Sequence, residues 1–312
     1  MLGTAGNDVM LWARKPKCAG INELHRNPRY LVDSSVSERV RASSDYETVL
    51  RGSQAVVIVT PSSIMRDVAC DIRPFVSEDA PTSSARRALR PAPVFFPFRC
   101  SSKNSETRRV CCAHGAESCR GSHQGHCLGY GHRVFHRDTA LFFQRLFATD
   151  TFRTYVSDDV VGAEICAAFK NIIAIAVGAS YGIGLGDNTA ALIMTRGLAE
   201  MSRLVEACGG TAMTCLGLAG VGDLIATCTS EHSRNRTFGY RLATGTTLEQ
   251  YREETHMVVE GALACKTIDF LAKAHQVELP ITEMVRSVLW EQVDFHEAAD
   301  ALFERSLKPE FY

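Results

Sequence analysis

The sequence predicts a chain of two parts, an α/β domain built on a parallel sheet followed by an all-α domain, and three observations carry that prediction. Strand and helix signals alternate over the first 75 residues; helical periodicity alone runs from Thr247 to Leu307; and Val160–Val177 is apolar on nearly every side. We place the boundary between residues 157 and 158. With 312 residues and 46% hydrophobic content the chain can fill the cores of about two domains. A net charge of −1 argues against a nucleic-acid or membrane-surface role. No secretory signal or spanning segment is read, so the 12 cysteines are expected to be reduced thiols in a cytoplasmic protein.

The first strand expected is Val9–Ala13, with the basic pair Arg14-Lys15 directly after it. Such a pair suits a phosphate or a ribose phosphate, and equally an ordinary solvated loop. Ile21–Asn27 reads as a helix, Ala55–Thr60 as a second strand ended by Pro61, and Ile64 to about Phe75 as a helix. Strand, helix, strand, helix implies a parallel sheet. From about Thr82 to Arg137 the composition changes: ten basic residues face two acidic ones, cysteines and histidines are interleaved, and no apolar periodicity remains. Thiols and imidazoles are zinc-ligand types, yet no C-x-x-C pair occurs, and we expect no metal. Order returns in the amphipathic run Leu141–Phe147 and the strand Phe152–Val156.

The segment that organises the rest is Asp158–Met201. Within its first helix only Glu164, Lys170 and Asn171 are polar, so the helix is expected to be buried. One turn either side of Lys170 lie Cys166, Ala167, Ile173 and Ala174, which leaves the ammonium no carboxylate on its own helix. A buried lysine needs a partner from elsewhere and reads as chemistry, unless its stem snorkels to the surface. Asp187-Asn188-Thr189 is expected to cap the next helix, which stops near Gly209-Gly210. Asp223, among glycines and apolar residues, is either a turn former or a carboxylate aimed into a cleft. Ser233 can cap a helix beginning Arg234-Asn235-Arg236. That start is either an anion site or a capped, solvated helix.

Phe169-Lys170-Asn171-Ile172-Ile173-Ala174, Gly184-Leu185-Gly186-Asp187-Asn188, Thr195–Met201, Gly217–Leu224, Ser233-Arg234-Asn235 and Val259-Glu260-Gly261 are similar, in order and spacing, to the NAD(P)-dependent glycerol-3-phosphate dehydrogenases. The likeness runs from Asp158 to Glu310, and Leu11–Arg14, Asn27–Leu31 and Val57–Ser62 extend it into the N-terminal part. The resemblance implies a Rossmann domain, an all-α substrate domain, NAD or NADP as cofactor, and hydride transfer at C2 of dihydroxyacetone phosphate or glycerol 3-phosphate. It further implies a role in glycerophospholipid synthesis and a cytoplasmic homodimer without nucleic-acid or membrane partners. Lys170 matches the family's proton donor and acceptor. With Lys170, Asp223, Ser233, Arg234 and Asn235 match substrate-binding positions; Arg14, Lys15, Arg234, Val258 and Glu260 match cofactor contacts. A basic pair at Arg14-Lys15, where NAD-specific folds carry an acid, is compatible with NADP.

Three features of the family are missing from this chain: the Gly-rich dinucleotide turn before Val9, a Thr-Lys-Gly element, and a Gly-Pro-Asn-His-Ala-Glu-Glu element. The codons of His114–His123, read one nucleotide later, can spell the last of these. Those of Ala85–Arg90, read two nucleotides later, can spell Thr-Lys-Gly-Ile-Glu. The expectation is therefore that residues from about 82 to 139 come from shifted reading frames and form a disordered or poorly packed stretch. The Gly-rich turn is expected upstream of Met1. The rival expectation is a non-catalytic damaged copy that retains the helical domain.

Overall fold

A computed structural model describes residues 2–27, 31–60, 64–77, 80–84, 110–114, 128–134, 137–306 and 309. The chain divides into two compact units, Met1–Arg87 with Phe96–Val160, and Ala88–Phe95 with Val161–Tyr312.

In the first unit β1 (Val9–Trp12) leads into α1 (Lys15–Leu24), then β2 (Arg26–Asn27), β3 (Leu31–Ser35), β4 (Val40–Ser43) and α2 (Tyr46–Leu50). β1 and β4 pair in parallel, and α1 covers them through Ile21, which packs with Ala13 and Ala42. Asn22 fixes that docking. Its amide accepts from the Ala42 N–H at 2.7 Å and donates to the Ala42 carbonyl at 3.0 Å, satisfying a strand residue as a neighbouring strand would. The helix expected at Ile21–Asn27 is displaced towards the N-terminus. Pro16 is tolerated in the first turn, where its missing N–H costs nothing, and His25 at φ 48° closes the helix before Asn27.

Next come β5 (Val56–Ile58), α3 (Met65–Ile72), β6 (Thr82–Ser84), β7 (Val110–His114), β8 (Leu128–Val134), α4 (Arg137–Phe147) and β9 (Phe152–Ser157). The last five strands form one sheet in sequence order, parallel at every pairing except β7 with β8. The reading of 82–137 as lacking strands is corrected for the residues described. Thr82–Ser84 is hydrogen-bonded on both edges, so its backbone pairing rather than an alternating apolar pattern makes it a strand. Residues 85–109 and 115–127, which include Ala85–Arg90 and most of His114–His123, lie outside the described residues. From β8 through α4 to β9 the chain makes a right-sized βαβ crossover. Ala140, Phe143 and Phe147 on one face of α4 pack against Phe152, with Ala55, Val57 and Val156 around them. Gln144 and Thr154 join helix to strand by exchanging side-chain bonds to each other's carbonyl, at 2.8 and 2.9 Å.

Among the described residues of the second unit, the regular elements are all helices. α5 (Val160–Gly182) is buried continuously from Gly162 to Ser180. Its length and apolarity would suit a membrane span, but 89% of the relevant window is buried inside the protein, as a core helix requires. Around it lie α6 (Asp187–Ala207), a 3₁₀ turn (Ala212–Leu216), a π turn (Leu218–Gly222), α7 (Asp223–Thr229), α8 (Arg234–Ala243), α9 (Leu248–Thr255), α10 (Glu260–His275), α11 (Pro280–Trp290) and α12 (Phe295–Phe303). α5 and α8 cross at backbone contact. A Cβ on Gly178 would stand 2.0 Å from the Arg236 carbonyl oxygen, and one on Gly239 would stand 2.0 Å from that of Ile175. Only glycine permits so close a crossing.

The caps follow the sequence in most places. Ser233 accepts from the Arg236 N–H at 3.3 Å, and Thr247 with Gln250 forms a reciprocal capping box. Asp187 is instead the first residue of α6, with Gly186 at the N-cap position and no side-chain cap, and its carboxylate accepts from the Tyr181 hydroxyl at 2.8 Å. α11 begins against Glu200 of α6, whose carboxylate accepts the Ile281 N–H at 2.7 Å and the Thr282 N–H at 3.4 Å. Burial nevertheless pushes the Glu200 carboxyl up to about 7, against the opposing pull of those amides.

Candidate active site

Four separated motifs meet beside the middle of α5. Lys170 is 3% exposed and Asp223, the first residue of α7, is 2% exposed. The Lys170 Nζ donates to Asp223 Oδ1 at 2.5 Å and to Thr227 Oγ1 at 2.6 Å. The lysine does not snorkel. Its carboxylate comes from another helix, as the lack of one on its own face demanded, and Asp223 is a charge partner rather than a turn former. Thr227 stands one turn after Asp223 on the same helix and donates its own hydroxyl proton to the Asp223 carbonyl at 2.6 Å. With that proton engaged, its oxygen faces the ammonium as an acceptor. Cys228 adjoins this charged group, and burial pushes its thiol up to about 12, so it stays neutral there.

Next to Lys170, Asn171 is built into a second set of bonds. Its Oδ1 accepts from Asn235 Nδ2 at 2.9 Å, its own amide nitrogen donates to the Ala167 carbonyl at 3.3 Å, and Asn235 Oδ1 accepts the Gly261 N–H at 2.9 Å. The start of α10 comes this close because position 261 has no side chain; a Cβ there would lie 2.5 Å from the Asn171 carbonyl oxygen. Asn235 therefore fixes α8, α5 and α10 to one another at the point where Lys170 projects.

Arg234 and Glu260 open the same two helices. Their charged ends are 3.8 Å apart, with the side chains 46% and 41% exposed. A pair so exposed contributes little, and it leaves the guanidinium open to an anion at the start of α8. Val258 is exposed just ahead of α10, whereas Val259 is fully buried as its N-cap residue. Asp223, Ser233, Arg234, Asn235 and Glu260 thus stand at helix starts that are bonded to α5 at Lys170 and Asn171 or lie directly beside such bonds.

Arg14 and Lys15 belong to the first unit. They stand where parallel β1 hands over to α1, both exposed, and the first turn of α1 carries no acidic residue to neutralise them. Two solvated cations at a helix start after a parallel strand fit the phosphate or ribose end of a dinucleotide. Thr227 and Asn171 were missing from the site residues read from sequence. Thr227 stands at i, i+4 from Asp223, a spacing too common to single it out, while the Asn171–Asn235 bond joins residues 64 apart and has no local signature.

The family model described as NAD-dependent glycerol-3-phosphate dehydrogenase C-terminus matches residues 159–300, and the one described as NAD-dependent glycerol-3-phosphate dehydrogenase N-terminus matches residues 1–92. The chain belongs to the NAD-dependent glycerol-3-phosphate dehydrogenase family. It is 38% identical to glycerol-3-phosphate dehydrogenase [NAD(P)+] of Nocardia farcinica over 99% of this chain and 95% of that protein. It is 39% identical to glycerol-3-phosphate dehydrogenase [NAD(P)+] 2 of Mycobacterium tuberculosis, over 99% of this chain and 93% of that one. A crystal structure of glycerol-3-phosphate dehydrogenase from Coxiella burnetii superposes with a TM-score of 0.88 at 30% identity, covering 97% of this chain and 94% of that chain. The chain is accordingly an NAD(P)-dependent oxidoreductase with a Rossmann-type N-terminal domain and a helical C-terminal domain. These likenesses give the non-catalytic reading no support over the enzymatic one. Residues 93–158 fall between the two family matches.

Proposed function

We propose that this member of the family interconverts dihydroxyacetone phosphate and sn-glycerol 3-phosphate with Lys170 as the proton donor and acceptor at the C2 oxygen. When bound, the nicotinamide supplies the hydride for C2 or takes it back. The buried Lys170–Asp223 pair carries this reading. Held by Asp223, the Lys170 ammonium can pass a proton to the oxygen that gains charge as the carbonyl is reduced. Thr227 and Asp223 together aim the Nζ, and the Asn171–Asn235–Gly261 bonds stop the helix that carries it from shifting.

Arg234, with the capped start of α8 and Ser233, holds the substrate phosphate, and Asn235 sets the helix start at which it binds. Arg14 and Lys15 engage the adenosine end of NAD or NADP, the latter being compatible with two cations at that position. Arg234, Val258 and Glu260 contribute the remaining cofactor contacts. The protein works as a cytoplasmic homodimer that supplies glycerol 3-phosphate for glycerophospholipid synthesis.

The reading is tested by supplying purified protein with dihydroxyacetone phosphate and either NADH or NADPH. Oxidation of the nicotinamide is expected with at least one of them, and no oxidation above that of Lys170→Ala protein would overturn the proposal. Arg234→Ala is expected to raise the Michaelis constant about ten-fold or more, since it removes charge-assisted bonds of about 1.5–3 kcal/mol. An unchanged constant would take Arg234 out of the phosphate site.

A further inference from the structure

Cys166 and Cys215 lie side by side in the core of the second unit, Sγ to Sγ 3.6 Å apart, 0% and 1% exposed. Cys166 is on α5 one turn before Lys170, and Cys215 is in the 3₁₀ turn Ala212–Leu216. The residues are 49 apart in sequence, so their contact is made by the fold. The two sides differ in how deep they lie. Cys166 belongs to a helix buried along most of its length, whereas Cys215 sits one residue beneath the surface, next to Leu216, which is 60% exposed, and close to Met213, 69% exposed.

We infer that Cys166 and Cys215 are a peroxide-oxidisable pair, whose disulfide disturbs the Lys170–Asp223 contact. One thiol gives up its proton and, as the thiolate, attacks the peroxide O–O bond; the sulfur becomes a sulfenic acid and the leaving hydroxide takes the released proton to form water. The second thiol then attacks that sulfur and releases another water. Two thiols lose two electrons and two protons, and hydrogen peroxide is reduced to two waters. A disulfide needs sulfurs about 2.05 Å apart, so closing the present gap moves one side by about 1.5 Å.

The side nearer the surface is the 3₁₀ turn, and what rests on it is the route to Asp223. Gly220 in the following π turn is pressed onto Cys215, such that a Cβ there would be 2.0 Å from the Cys215 carbonyl oxygen. Gly220 departs from helical geometry at φ −97°, ψ −106°, and Asp223 follows three residues later. Pulling Cys215 towards α5 therefore shifts the backbone that presents Asp223, while Lys170 stays with α5. The covalent part of this inference stands alone; its effect on turnover rests on the role proposed for Lys170.

The test treats the native full-length protein with hydrogen peroxide, blocks the remaining thiols after denaturation, and maps cysteine peptides without reduction. Exposed Cys70 reports that the oxidant has acted. Expected is a linked Cys166–Cys215 peptide, an intact mass lower by two hydrogens for that link, and its reversal by dithiothreitol. Turnover is expected to fall by about 100-fold, the usual cost of misplacing a catalytic group by about 1 Å, and to recover on reduction. Cys215→Ala and, separately, Cys166→Ala should abolish both the link and the peroxide sensitivity. Full alkylation of both cysteines once Cys70 is oxidised, or linkage of either one to a different cysteine, overturns the pair. Linkage with undiminished turnover in an otherwise active protein overturns the coupling to Asp223. A chain inactive before oxidation would instead count against the proposed function, leaving peptide mapping to decide the pair.

Discussion

Removing the carboxylate from position 223 would take away the Lys170–Asp223 ion pair while the Lys170 ammonium stays buried. Asp223→Ala is therefore expected to destabilise the folded protein by about 3–5 kcal/mol, more than a side-chain truncation of that size costs elsewhere. Denaturant unfolding of the two proteins checks this, and a loss below about 1 kcal/mol would mean that Lys170 finds water or another partner. The need for such a carboxylate was legible, because the residues one turn either side of Lys170 are all small or apolar. Its position was legible only through family likeness, since nothing in local periodicity connects residues 53 apart. Thr227 escaped notice because a threonine one turn after an aspartate has many ordinary uses, and only the fold turns its oxygen to the lysine.

Among the elements, α6 and α11 are tied through Glu200, and this tie is sensitive to pH. Its carboxyl, ordinarily near 4.5, is raised to about 7 by burial. A raised carboxyl binds its proton more tightly in the folded chain than in the unfolded one, so its contribution to stability is full below about 4.5 and is lost as pH rises towards 7. The change is on the order of 3 kcal/mol. Thermal unfolding between pH 5 and 8 is expected to show falling stability in the parent and a flatter profile in Glu200→Gln, which keeps an acceptor for Ile281 but does not ionise. Identical profiles would mean that the helix-start amides outweigh burial. Element boundaries were read well where a cap was explicit, as at Ser233 and Thr247. They were misread at α1, where a left-handed His25 ends the helix without glycine. β6 was missed for a different reason: Ser83 is fully buried in an interior strand, and its hydroxyl has no hydrogen-bond partner among the described residues, a pattern that polarity argues against.

For the molecule as a whole, two compact units and a full-length family likeness place catalysis on a scaffold whose first unit contains an unusual stretch. We propose that residues from about 82 to 139 are read from shifted frames; the part from residue 93 onwards falls in the gap at 93–158 between the two family matches, and 82–92 lies within the first match. Sequencing the locus is expected to reveal single-nucleotide discrepancies near Thr82 and Thr139, with Thr-Lys-Gly and Gly-Pro-Asn-His restored between them. Peptides of the native protein that match Ala85–Arg90 and His114–His123 as written would contradict it. The bonds that join Lys170 to Asp223 and Thr227, and Asn171 to Asn235 and Gly261, all lie outside that stretch. The most direct measurement is single-turnover reduction of dihydroxyacetone phosphate by the cofactor-loaded protein, with Lys170→Ala compared at saturating substrate. The substitution should slow the chemical step by about 10²–10⁴-fold while substrate still binds, as loss of a positioned proton donor does. An undiminished rate in Lys170→Ala would contradict the assignment of Lys170 as the group that moves the proton.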